Sequence, residues 1–328
     1  MPSTPLRLLA ALTCSLALTL PAWAANPAKP EVAQTAQAAA PSSDTITFRH
    51  AKGEATLPRQ PQRAVVFDLA TLDMLAALGV DAVAGVPAFK MPGHLQSYGQ
   101  APYAKVGSLF EPDYEAIRAL DPQVIFVGRR TEARIPELSK LAPTVDMAID
   151  ESQPVPSIYA NLRQLGALFG KQAQAEQLIA QAEAEIAALR QVAPGAGKAM
   201  LLLVSGGRIN SYGPGSRMGM VFDTFGLQSA QASGGQERHG QSISFEYILQ
   251  ANPDWLLVLD RDAAIGREGA AAQRLLDNAL IKATSAGKKG QIAYLDATNW
   301  YVLDGAGITA LRQNVRQLHD LFTQAGAK

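Results

Sequence analysis

The stretch Tyr114-Glu-Ala-Ile-Arg-Ala-Leu-Asp-Pro-Gln-Val-Ile-Phe-Val127 returns without a gap as Phe245-Glu-Tyr-Ile-Leu-Gln-Ala-Asn-Pro-Asp-Trp-Leu-Leu-Val258, at a constant offset of 131 residues. Each copy reads as a short helix that begins aromatic-Glu, stops before a proline and hands over to an apolar strand. A strand that is apolar at successive positions suits a parallel sheet covered on both faces. Two copies of one helix–strand unit predict two lobes of similar βα construction with a cleft between them.

The flanking sequence continues the alternation. Residues 64–67, 80–86 and 123–127 read as strands, with helices over 71–78 and 114–120. After residue 197, strands over 199–204, 254–259 and 292–295 alternate with helices over 218–225, 245–250 and from 307 onward, with Gly206-Gly207 as a turn. Between the halves, a helix opened by Pro156 and closed by Gly170 precedes 172–192, which holds neither Gly nor Pro. At about 1.5 Å per residue that second helix spans roughly 31 Å, enough to brace two lobes, although an ordinary surface helix has the same periodicity. The expected class is α/β, with two Rossmann-like lobes, parallel sheets and a single long bridging helix. The N-terminal lobe is read at 45–152, the bridging segment at 153–193 and the C-terminal lobe at 194–328.

The ends carry different information. Arg7, an apolar run over 8–20 and Ala22-Trp23-Ala24 form the three parts of a secretory signal over 1–24, with cleavage expected before Ala25 and a periplasmic destination. Residues 25–44, rich in Ala, Pro, Gln and Ser, read as a flexible tether. The only cysteine, Cys14, lies inside the signal, so the mature chain is expected to hold neither thiol nor disulfide. Across the whole chain 29 basic side chains balance 29 acidic ones, and removal of Arg7 leaves 28 basic ones. Near-neutrality argues against broad capture of nucleic acid or anionic lipid.

Ligands of α/β folds bind at the carboxyl ends of strands. The repeat offset places Arg130 in register with Arg261, each just past its strand, with Arg129 the alternative if the register slips. Two arginines facing each other across a cleft repel unless an anion lies between them, so an anionic ligand is expected. The competing reading has both arginines solvated or salt-bridged, Arg261 having Asp260 and Asp262 beside it. Arg217 lies in a Gly-Pro-Gly-Ser turn before a helix, where backbone N–H groups favour an anion. That turn matches neither a Walker loop nor a nucleophile elbow. His50, His94, His239 and His319 are scattered, which disfavours a His-rich divalent metal site. Tyr301 offers a hard phenolate donor suited to Fe³⁺, or else simple aromatic packing, and His239 sits in a polar glycine-rich loop where histidines are commonly just solvated. No paired carboxylates or activated nucleophile suggest an enzyme.

Five motifs in one order carry a resemblance: Val127-Gly-Arg-Arg130, Tyr212-Gly-Pro-Gly-Ser-Arg217, His239-Gly-Gln-Ser-Ile243, Asn252-Pro-Asp-Trp-Leu-Leu-Val-Leu-Asp-Arg261, and Tyr294-Leu-Asp-Ala-Thr-Asn-Trp-Tyr301. From about residue 45 onward the chain resembles the class III, helix-bridged periplasmic binding proteins, and among them the group that binds ferric catecholate siderophores. The resemblance implies that Arg130, Arg217 and Arg261 form a cationic floor for an anionic ferric chelate and stack on its rings. It implies that His239 and Tyr301 complete the iron shell, and that Glu115 and Glu246 dock on an inner-membrane ABC permease driven by its ATPase. The protein would then act as a monomer without an intrinsic cofactor, Fe³⁺ entering only as part of the ligand. A class III binder for haem or a corrinoid is the alternative.

Overall fold

The computed structural model describes residues 44–231, 240–267 and 271–326, so the signal read at 1–24 and all of the tether at 25–44 except Asp44 lie outside the described residues. A hairpin of β1 (Thr45–His50) and β2 (Gly53–Pro58) comes first and buries Phe48 and Leu57 in the core. There follow β3 (Ala64–Val66), α1 (Leu69–Ala77), β4 (Val83–Val86), β5 (Ala104–Lys105), α2 (Tyr114–Leu120), β6 (Val124–Val127), α3 (Ile135–Leu138) and β7 (Thr144–Asp146). Five strands make an all-parallel sheet in the order β5-β4-β3-β6-β7. Every residue of β3 and β6 is buried, as a strand covered by helices on both faces requires.

Two helices lead out of this half, α4 (Pro154–Phe169) and α5 (Gln172–Val192). The second half contains β8 (Lys198–Ser205), β9 (Arg208–Tyr212), α6 (Met220–Asp223), β10 (Gln228–Ser229), β11 (Gln241–Ser242), α7 (Phe245–Ala251) and β12 (Trp255–Asp260). It closes with α8 (Arg261–Ala264), α9 (Ala271–Leu276), α10 (Ala279–Ala283), α11 (Ser285–Lys289), β13 (Ile292–Tyr294) and α12 (Ile308–Gly326). Its six-stranded sheet runs β11-β9-β8-β12-β13, with β10 beside β8.

This second sheet departs from the all-parallel expectation. Strand β9 is antiparallel to β8, and β11 to β9. The cause is the Gly206-Gly207 pair, whose φ angles of 54° and 76° suit a two-residue hairpin that demands positive φ at both central positions. The helix expected over 218–225 also shrinks to the four residues of α6, because 213–219 is spent in successive tight turns.

The sequence repeat survives folding. Helices α2 and α7 each have seven residues, N-capped by Asp113 and Ser244 and C-capped in the left-handed region by Asp121 (φ 45°) and Asn252 (φ 42°). Short polar side chains tolerate that conformation and stop the helix. Each then feeds the strand beside its lobe's first strand, β6 against β3 and β12 against β8. Helix α5 buries Ala175, Leu178, Ile179, Ala182, Ile186 and Leu189, the stripe of a helix packed on one side. It lies against α4 and α12, where Arg312 donates to Glu185 through two N–H groups at 2.8 and 3.1 Å. One apolar cluster joins the inner faces of both sheets, including Val66, Phe126, Leu162, Leu189, Leu201 and Leu257.

Candidate functional site

The carboxyl ends of β3 and β6 build the first wall. Asp68, the residue before α1, caps that helix by accepting from Thr71 N (2.9 Å) and Thr71 Oγ1 (2.7 Å). Gly128 follows β6, and a Cβ there would lie 2.5 Å from Asp68 Oδ1, so glycine is what lets the two strand ends close up. Arg129 and Arg130 then diverge. Arg129 pairs with Glu151, whereas Arg130 reaches the other half and donates to the carbonyls of Tyr301 and Val302, each at 2.8 Å. Arg130 is therefore the member of the pair that faces across. Burial, abetted by the charge of Asp304, holds the Asp68 carboxyl above its ordinary range, against the hydrogen bonds from Thr71 and the charge of Arg130.

The opposing wall comes from β8, β12 and the turn after β13. Arg261 donates Nε to Tyr301 Oη at 2.7 Å and Nη1 to Ser205 Oγ at 3.2 Å. Its sequence neighbours do not neutralise it. Asp260 accepts from Ala263 N and Ala272 N, and Asp262 from Gly206 N. Tyr301 belongs to a single wide helical turn, Thr298–Val302, started by Asp296, which accepts from the N–H groups of Thr298 and Asn299. Wide turns of this kind recur at functional sites. Beside it Trp300 is only 1 % exposed and meets Phe225 edge-on at 6.3 Å, which anchors the turn in the core.

Arg217 arrives from the glycine-rich turn. The expected anion-binding N–H groups are otherwise engaged, since Gly215 N donates to Asp223 Oδ2 at 2.7 Å and α6 is too short for a useful dipole. What the turn brings to the site is the guanidinium. It lies 3.1 Å from Asp304 Oδ1, and Asp304 Oδ2 lies 3.7 Å from Arg130 Nη1. All three guanidinium carbons sit over the ring of Tyr301, at 5.8 Å for Arg130 and 5.3 Å for each of Arg217 and Arg261. The structure thus gathers four of the five expected ligand-binding residues at one point, 40 to 171 positions apart in sequence. The fifth, His239, lies outside the described residues.

Arg217, Arg261 and Tyr301 line a pocket of about 490 Å³ together with Arg208, Tyr212 and Ser242. Arg130 approaches the same tyrosine ring but is not on the lining. A larger cavity of about 770 Å³ adjoins through Arg217, between the starts of α4 and α6. Its wall mixes Glu151, Glu183 and Asp223 with Arg190, so it has no preference for an anion. Tyr159 Oη is buried there without a hydrogen-bond partner among the described residues, and burial pushes this phenol up to about 12.

Sequence reasoning missed Asp304, Asp68 and Arg208. Asp304 stands in left-handed backbone (φ 53°) before Gly305, and Asp68 stands three residues before Thr71, a capping spacing legible in the sequence. Nothing local marks Arg208. It enters the pocket because β9 folds back along β8, and among the described residues no carboxylate pairs with it. Glu115 and Glu246 are exposed in the first turns of α2 and α7, and neither is on the pocket lining. Hydrogen bonds from its own backbone N–H and the Ser244 hydroxyl hold the Glu246 carboxyl below its usual value.

Residues 65–298 match the family model described as periplasmic binding protein. The chain is 34 % identical over 281 residues to the petrobactin-binding protein YclQ of Bacillus subtilis, covering 84 % of this chain and 88 % of that one. It is 33 % identical to the ferric-anguibactin-binding protein FatB of Vibrio anguillarum, covering 94 % and 95 % of the two chains. The crystal structure of YclQ superposes with a TM-score of 0.82 over 85 % of this chain and 98 % of its own. That of the periplasmic catecholate-siderophore-binding protein VctP of Vibrio cholerae does so with 0.79, at 36 % identity, over 84 % and 99 %.

Proposed function

Because this chain belongs to the periplasmic binding protein family, we propose that it captures an anionic ferric siderophore, of the catecholate kind, and delivers it to an inner-membrane ABC permease and ATPase. The observation that carries the reading is the convergence of Arg130, Arg217 and Arg261 on the ring of Tyr301 beside a pocket large enough for a chelate. Guanidinium planes suit both the charge and the aromatic faces of such a ligand. The names of YclQ, FatB and VctP support the same ligand class.

The roles divide by position. Arg217 and Arg261 meet the chelate, while Arg130 adds charge and clamps the Tyr301 turn through two carbonyls. Tyr301 supplies a phenol oxygen to the iron, and Arg261, already donating to that oxygen, would continue to donate to a phenolate. His239 is the second protein ligand. Glu115 and Glu246 are the permease contacts, one per lobe, with lobes at 45–152 and 194–328 and a bridge at 153–193. The signal at 1–24 is removed before Ala25, and the mature monomer works in the periplasm as a binder rather than an enzyme.

Titration of the purified protein with ferric bis-catecholate tests the reading. Saturable tryptophan quenching at or below micromolar ligand, with a perturbed charge-transfer band, is expected. Failure to bind at micromolar ligand overturns it. A band unchanged in Tyr301→Phe combined with His239→Ala removes direct ligation while leaving capture intact.

A further inference from the structure

Arginines that face one another need an anion, and the protein supplies one of its own. Asp304 is mostly buried, its side chain 17 % exposed, and its two oxygens point at different arginines, 3.1 Å from Arg217 and 3.7 Å from Arg130. The backbone does not ask for a carboxylate at this position. At φ 53° glycine fits without strain and asparagine nearly as well, so what aspartate adds is charge. The Tyr301 turn that precedes it is held by Arg130 and anchored by Trp300, which fixes the carboxylate among the guanidinium groups. Asp68, half-buried, lies within electrostatic reach of both Asp304 and Arg130.

We propose that Asp304 is a built-in counter-ion that offsets one guanidinium charge of the triad and thereby sets the ligand charge this pocket prefers. Asp304 lowers the net positive charge of the guanidinium cluster, Arg208 on the pocket wall included, by one unit. In Coulomb terms that loss of attraction is about three times as large for a trianion as for a monoanion. Ferric bis-catecholate carries one negative charge and ferric tris-catecholate three, because each doubly deprotonated catechol adds two to trivalent iron. Asp304 therefore shifts the preference of the site toward the monoanionic, coordinatively unsaturated complex, which is also the form that has room for a protein oxygen on iron. Asp304 does not touch the metal in this scheme. It is a specificity residue that acts through Arg130 and Arg217, and the inference rests on the chelate reading given above.

The test is a charge series at neutral pH and low salt. Dissociation constants for ferric bis-catecholate and ferric tris-catecholate are measured by tryptophan quenching in the wild-type protein, Asp304→Asn and Asp304→Gly. Both variants should shift the ratio of the two constants toward the trianion by about tenfold, a change of about 1.4 kcal/mol. In all three proteins raised salt should weaken the trianion more than the monoanion, because the site stays net cationic, and the fall should be steeper in the variants. A ratio that stays within about twofold in the variants, with a salt dependence equal to that of the wild type, overturns the counter-ion role. Wild-type protein that binds neither chelate overturns the siderophore reading itself, which is a separate result.

Discussion

The buried carboxylate of Asp73, in α1, accepts the backbone N–H of Thr309 at 2.8 Å from 236 positions earlier in the chain. Its second oxygen accepts from Ala310 N at 2.9 Å and bonds His94 Nε2 at 2.8 Å. The first turn of α12 is thus capped by a residue of the N-terminal half, and Gly307 leaves the room, since a Cβ there would lie 2.5 Å from the carboxylate. Asp73→Ala deletes the cap and strands two buried donors, at an expected cost of about 2–4 kcal/mol. Asp73→Asn keeps one acceptor and should lose about half of that or less. Urea denaturation separates the two, and equal losses would contradict the cap.

Asp68 makes stability depend on pH. Burial raises its carboxyl in the folded state, so the folded protein holds the proton more readily than the unfolded chain. The corresponding stability is fully present below the ordinary carboxylate value and is lost as pH rises through the folded one. Asp68→Asn cannot ionise, yet it keeps an oxygen for Thr71. Its stability relative to wild type should therefore increase steadily from about pH 4 toward neutrality, followed by urea midpoints at each pH.

The diverging arginines give a paired control. Arg130→Met removes two charged hydrogen bonds and one charge, and should weaken ferric bis-catecholate binding by about tenfold or more. Arg129→Met, which breaks only the ion pair with Glu151, should leave affinity within about threefold. Isothermal titration distinguishes them, and the reverse order would exchange their roles.

Charge reversal at Glu115 and Glu246 separates capture from delivery. Both side chains are exposed, and neither is on the pocket lining. Glu115→Arg with Glu246→Arg should leave the dissociation constant unchanged while abolishing ligand-stimulated ATP hydrolysis by the permease complex in proteoliposomes.

Arg208 extends the cationic wall. Placed opposite Ser205 across the hairpin, it lines the pocket on the same face as Arg261. Arg208→Ala should reduce affinity by about threefold to tenfold, with an effect that fades as salt is raised. Binding that is equally weakened at all salt concentrations would assign Arg208 a packing role instead.

The repeat was legible because it is written in local chemistry: an N-cap, seven helical residues, a left-handed Asp or Asn, a proline and an apolar strand. Arg130 and Arg261 followed from it, since a residue just past a parallel strand lies at the ligand end of the sheet. The antiparallel β9 was not legible in the same way. Residues 208–212 lack a strong strand pattern, and a glycine pair marks a turn without saying which strand returns. The helix-terminus argument for Arg217 also failed for a local reason, because the Gly215 N–H is turned toward Asp223 and the Ser216 and Gly219 N–H groups toward carbonyls of the turn itself.

Local rules thus decided the elements, their order, the two βα halves and the strand ends at which a ligand belongs, because caps, turns and apolar periodicity act over a few residues. The charge balance of the site was decided by folding alone. Asp304 reads in sequence as one aspartate before a glycine. Only when the turn after β13 packs against the end of β6 does its carboxylate come between two arginines 87 and 174 positions earlier in the chain. Electrostatic energy depends on separation in space, and a chain carries no local mark of which distant charges it will bring together.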